Sequence, residues 1–129
     1  KPLGELALHI AGLPVWVGRI LTVAEYDFMG PGAPTPGLQP WQSKDALLAK
    51  FDKNVVDART AMLAASDAQM MESWTLRGAG EVVFTLPRVA AIRGMVFNHT
   101  IHHRGQLSVY LRLKDVPLPG IYGPTADEG

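Results

Sequence analysis

Three of the four histidines in this chain stand where a helix would ordinarily carry an aliphatic side chain. His99 and His103 are four residues apart. On a helix that separation is about 40° around the axis and roughly 6 Å along it. Both imidazoles can then reach one ion through metal–nitrogen bonds of about 2.0–2.1 Å. The spacing alone is common; its position makes it informative. His99 and His103 fall on the apolar stripe Ile92, Val96, His99, His103, Gln106, Tyr110 and Leu113. His9 falls on another, with Leu6, Leu13, Trp16, Ile20 and Val23. Burying a neutral imidazole is unfavourable unless its ring nitrogens find partners. Two readings follow: one shared divalent ion, or three separate hydrogen bonds, for example to Gln106, Tyr110 or a backbone carbonyl. A shared ion accounts for all three histidines at once. The chain has no cysteine, so imidazole, carboxylate or water must hold any such ion.

The neighbours of this pair are read with it. His102 is offset from the stripe by one position and belongs to the rim of the site rather than to the ligands. Arg104 is either a solvated surface cation or the partner of a carboxylate on a neighbouring helix, Glu5 being the candidate. Gly105 inside a helix is unfavourable relative to alanine, and close approach of another helix would justify it.

The elements that must position these side chains show a helical period in three stretches. The first spans the His9 stripe and is interrupted by Pro14, which removes one backbone donor and should bend it. The second follows Ser43, a good N-cap, with Leu48, Phe51, Val55, Ala58, Met62 and Ala65 on one stripe. The third begins near Pro87, a favourable first-turn residue. Between them, residues 30–40, rich in proline and glycine, read as a surface loop. Arg77-Gly78-Ala79-Gly80 followed by Glu81-Val82-Val83-Phe84 reads as a turn leading into a short extended segment or small hairpin. After Asp115 the tail is irregular, with Ile121 and Tyr122 available to anchor it. The three apolar stripes predict an all-α helical bundle.

A length of 129 residues suits one domain, here residues 1–129, with 47% hydrophobic and 19% charged residues. Twelve basic and twelve acidic residues cancel, and no Lys/Arg cluster offers a nucleic-acid surface. The most apolar stretch, residues 6–24, contains His9, Pro14 and Arg19 and lacks the basic start and cleavage site of a signal peptide. It reads as an amphipathic or buried helix, and the expected location is cytoplasmic, with no membrane partner.

The run Asn98-His99-Thr100-Ile101-His102-His103-Arg104-Gly105-Gln106-Leu107 resembles the signature of the DinB-like family. This is the damage-inducible, YfiT-like group of metal-binding helical proteins, distinct from the polymerase of the same name. The segment Gly4-Glu5-Leu6-Ala7-Leu8-His9-Ile10-Ala11 resembles that family's other ligand-bearing motif, and residues 116–124 its closing tail. The resemblance implies a four-helix bundle with one long crossover, and family members carry a further helix before the Glu5–His9 segment. With the chain starting at Lys1, that first helix is expected to be absent here. It also implies a three-histidine site, matched by His9, His99 and His103, for one divalent transition metal: zinc or nickel first, then iron or manganese. Glu5, His102, Arg104 and Gln106 would surround the ligands.

Some relatives in that family are metal-dependent transferases or isomerases acting with low-molecular-weight thiols, so a small thiol and an electrophilic substrate are the implied partners. Three neutral ligands leave coordination positions open, as in catalytic rather than structural metal sites. The alternatives are a metal-dependent hydrolase and a non-catalytic metal-binding or interaction protein. Family likeness also implies a homodimer. Leu8, Val15, Val17 and Leu21, lying off the core stripe of the first helix, supply a reason for one.

No salt-dependent micromolar affinity for duplex DNA is expected, because no excess of cations is present to release counterions. Fluorescence anisotropy against a labelled duplex over a salt series checks this.

Overall fold

The computed structural model describes residues 2–33 and 40–128. The proline-rich loop expected over residues 30–40 therefore falls largely outside the described residues. The first helical stretch is broken into α1 (Leu3–Gly12) and α2 (Val15–Thr22), with Leu13 and Pro14 between them. Proline supplies no N–H, so the ladder changes to three-residue bonds at the break, Trp16 N–H to Leu13 O and Val17 N–H to Pro14 O. The Ala11 carbonyl at the break accepts from Asn54 Nδ2 at 2.8 Å. The kink is thus satisfied by a side chain of the helix packed against it.

That neighbour is α3 (Lys44–Ala64), capped by Ser43, whose hydroxyl accepts from Ala46 N–H at 3.1 Å. It is followed by the short α4 (Asp67–Met71). The third helical stretch runs as α5 (Arg88–Ile92), a π-helical segment (Arg93–Asn98) and α6 (His99–Arg112). Pro87 sits just before it as the N-cap residue.

The chain is not all helix. Strands β1 (Glu25–Asp27), β2 (Ser73–Gly78) and β3 (Glu81–Pro87) form a sheet in that order. β1 lies parallel to β2, and β2 antiparallel to β3 with an irregularity between Leu76 and Arg77. The expected small hairpin is therefore present, and it corrects the all-α expectation. Trp74, Thr75 and Leu76 alternate inward and outward, and Val82, Val83, Phe84 and Thr85 favour extended backbone. Ala79 and Gly80 both have positive φ, 52° and 87°, as a two-residue hairpin turn of the I′ kind demands.

The core lies where the sheet meets α2, α3 and the third helical stretch. Val17, Ile20, Leu21, Ala58, Trp74, Leu76, Ala91, Ile92 and Val96 are buried together. Arg88, also buried, places its guanidinium on the Ile20 and Val23 carbonyls and reaches Glu72 at 3.2 Å. Gln69 Nε2 takes the Leu21 carbonyl at 2.9 Å. The carbonyls left over at the end of α2 are thus received by side chains from two other elements.

Parts of the expected stripes are not buried. Leu48 and Val55 on α3 are exposed, while Phe51, Met62 and Ala65 are half-buried. On the third stretch Ile92 and Val96 are buried as expected, but Gln106, Tyr110 and Leu113 are exposed. Instead the half-buried row continues from His99 and His103 to Leu107 and Leu111. These four follow the four-residue ridge of a helix rather than a three-and-four alternation. Of the four extra apolar residues on the first stretch, Val17 and Leu21 are buried within the chain and Val15 is exposed. In the tail, Ile121 and Tyr122 are exposed and anchor nothing. It is held by Asp127, which pairs with Arg112 at 2.6 Å and accepts from Leu118 N–H at 2.9 Å.

Asp27 joins β1 to the hairpin turn. Its carboxylate accepts from the N–H groups of Met29 and Ala79 at 2.9 and 3.0 Å and of Gly80 at 2.6 Å. The Met29 N–H above all, with those of Gly80, Ala79 and Gly30 adding and burial opposing, holds the carboxyl below its ordinary 3.8. A depressed carboxyl stabilises the fold fully above its unfolded value, and that contribution is lost as pH falls through the lower folded value. Exchange protection of the Ala79 and Gly80 amides is therefore expected to persist to about pH 4 and to fail only in stronger acid. In Asp27→Ala these two amides should exchange fast already at neutral pH. Hydrogen exchange by mass spectrometry reads both.

Candidate metal centre

α1 and α6 pack against each other in opposite senses, so that His9 faces His99 and His103 while Glu5 and Leu3 lie toward Leu107 and Leu111. On α1 the four-residue pair Glu5 and His9 enters the contact; on α6 it is His99, His103 and Leu107. The one histidine of the α1 row meets the pair on the α6 row because the two rows carry their imidazoles at matching height. The ring centroids lie 5.0 Å apart for His9 and His99, 4.6 Å for His9 and His103, and 4.7 Å for His99 and His103. One ring nitrogen from each of the three falls within 4.8 Å of the others, and all three side chains are half-buried.

His9 Nε2 and His99 Nε2 are 3.3 Å apart, within hydrogen-bonding reach. Two nitrogens sharing one ion at about 2.05 Å in tetrahedral geometry stand about 3.3 Å apart. Gln106 fixes the third ring. His103 Nδ1–H donates to Gln106 Oε1 at 2.7 Å, which leaves the lone pair on Nε2. A ligating imidazole is oriented by the hydrogen bond on its other nitrogen in this way. Three imidazoles with a ring nitrogen each in one small volume are a donor set that suits a borderline divalent ion. Among the described residues no fourth side chain joins the group.

The remaining predicted residues are placed as follows. His102 is exposed, its ring 4.8 Å from that of His103, and it is outside the converging group. Arg104 is exposed and makes no ion pair with Glu5, because one position past His103 turns it away from the seam. Glu5 instead lines a groove between α1 and α6. A Cβ at Gly105 would meet nothing within 4 Å, so no close approach explains that glycine. Sequence reasoning missed Leu107 and Leu111 in the seam; their four-residue spacing from His103 was the available signal.

The model of the DinB family matches residues 42–129. The chain belongs to the DinB family. His99 and His103 lie inside the matched span, and His9 precedes it. Comparison with characterised proteins and with solved structures returned no match. No described helix is long and apolar enough to cross a membrane.

In this DinB chain the core that joins α2, α3, α5 and the sheet contains none of the three histidines. His103→Ala is expected to abolish metal binding while its far-ultraviolet circular dichroism stays unchanged. Gln106→Leu should keep the three ligands yet bind metal about ten- to a hundredfold more weakly. Competition titration with a chromophoric chelator measures both.

Proposed function

We propose that this DinB protein binds one divalent transition metal, zinc or nickel, through His9, His99 and His103, and that the ion serves a transferase reaction with a low-molecular-weight thiol. The observation that carries the reading is the convergence of three ring nitrogens from two helices within 4.8 Å. A divalent ion held there lowers the pKa of a thiol or water that joins it, supplying a nucleophile near neutral pH. The protein's own part is to present three neutral nitrogens on one side. Gln106 keeps His103 in the tautomer that offers Nε2, and α1 holds His9 against α6.

The absence of a fourth ligand among the described residues supports an open coordination position over a closed, structural one. The seam beyond the histidines is apolar except for Glu5 among the described residues, which suits a substrate with carbon chains. A metal-dependent hydrolase is the second reading, with Glu5, one turn before His9, as the carboxylate that would serve it.

Anaerobic purification with elemental analysis, followed by incubation with several low-molecular-weight thiols and electrophiles, tests the proposal. One ion per chain and thiol adducts that form with the loaded wild type but not with His99→Ala are expected. A chain that takes up no divalent metal in equilibrium dialysis would refute the metal centre. Bound metal with ester cleavage and no thiol adduct would favour the hydrolase.

A further inference from the structure

Beside the three histidines lies a groove that metal binding leaves unused. It measures about 650 Å³, within the range of small-ligand sites. Leu3 and Leu8 of α1 and Leu107 and Leu111 of α6 line it, and the Trp41 ring closes one side. That ring lies directly on α1: a Cβ at Gly4 would come within 3.0 Å of Trp41 Cε3, so Gly4 permits the contact. Among the described residues, Glu5 is the one ionisable residue in the lining.

The placement of the groove along the seam says what it takes. Glu5 precedes His9 by one turn, and Leu107 follows His103 by one turn. On α6 the groove therefore begins about 6 Å from His103 and reaches Leu111, about 12 Å from it along the axis, while on α1 its lining runs from Leu8, next to His9, back to Leu3. Its polar member, Glu5, lies between those two leucines, and the rest is hydrocarbon and indole. Such a wall receives a carbon chain and repels an anionic one.

We infer that the groove binds the apolar tail of an amphiphilic small molecule whose electron-donating head sits at the three histidines, with a tail of about four to eight carbons. This rests on the proposed metal centre and adds the substrate class to it. A small donor without a tail leaves the groove empty, and a tail ending in a carboxylate is disfavoured by Glu5 when short enough to end beside it.

The test uses the zinc-loaded protein and straight-chain hydroxamic acids, from acetohydroxamate to octanohydroxamate, by isothermal titration calorimetry. Acetohydroxamate should bind through its head alone. Affinity should rise once the chain exceeds about four carbons, by about three- to fourfold per methylene. Leu3→Arg, at an exposed lining residue, should flatten the series while leaving acetohydroxamate affinity and zinc content at wild-type values. If that variant loses helicity, Trp41→Ala, on a half-exposed ring, should lower the gain per methylene without touching the ligands. A short chain ending in carboxylate should lose its gain and recover it in Glu5→Gln. A flat series on protein that still binds zinc and acetohydroxamate would overturn the groove and spare the metal centre. A flat series together with a dimer in light scattering would overturn it too, assigning the surface to a second copy. Failure to hold zinc and to bind acetohydroxamate would bring down both.

Discussion

The contact between α1 and α6 is the constraint on which the site depends. Each helix offers a row of residues four apart, and the rows cross where His9 meets His99 and His103. Side chains three or four apart lie on one helical face, but a pair on one helix supplies only two donors. The third must arrive from another element at the correct height. The histidines are half-buried, and the seam is apolar beyond them. The three imidazoles meet in that seam, and His103 is also bonded to Gln106.

Holding α1 at that height is the task of the rest of the fold. The break at Pro14 sets the direction of α1 relative to α2, and Asn54 of α3 accommodates the carbonyl that the break releases. α2 in turn is fastened at its end, where Arg88 and Gln69 take its last carbonyls. Arg88 opens the very helical stretch that later carries His99 and His103. The same stretch thus grips the first helical unit at one end through a guanidinium and at the other through imidazoles. Between the two grips runs the π-helical segment, Arg93–Asn98. A wider turn there resets the rotation at which α6 begins, immediately before the first ligand. Such insertions recur beside functional residues for this reason.

Much of the site was legible in the sequence because polar residues on apolar stripes are conspicuous. His9, His99 and His103 stood out in that way, and the break at Pro14, the cap at Ser43 and the turn at Ala79–Gly80 each follow from local chemistry. Other features depend on facts that no local window contains. Gln106 and Tyr110 lie one position from Leu107 and Leu111, and only the crossing of α1 over α6 decides which pair faces inward. Strand β1 is three residues long and exists because β2 is beside it; Glu25, Tyr26 and Asp27 carry no strand pattern of their own. Glu5 and Arg104 have opposite charge but form no ion pair, since charge alone does not fix direction on a helix.

The two parts of the histidine group are far apart along the chain: 90 residues separate His9 from His99. The chain has no cysteine and so has no covalent bridge to close so long a loop. An ion shared by His9 and His99 only in the folded chain would clasp two segments far apart in sequence and stabilise the fold by its binding free energy. Such a clasp would be released by a chelator, where a disulfide would need a reductant.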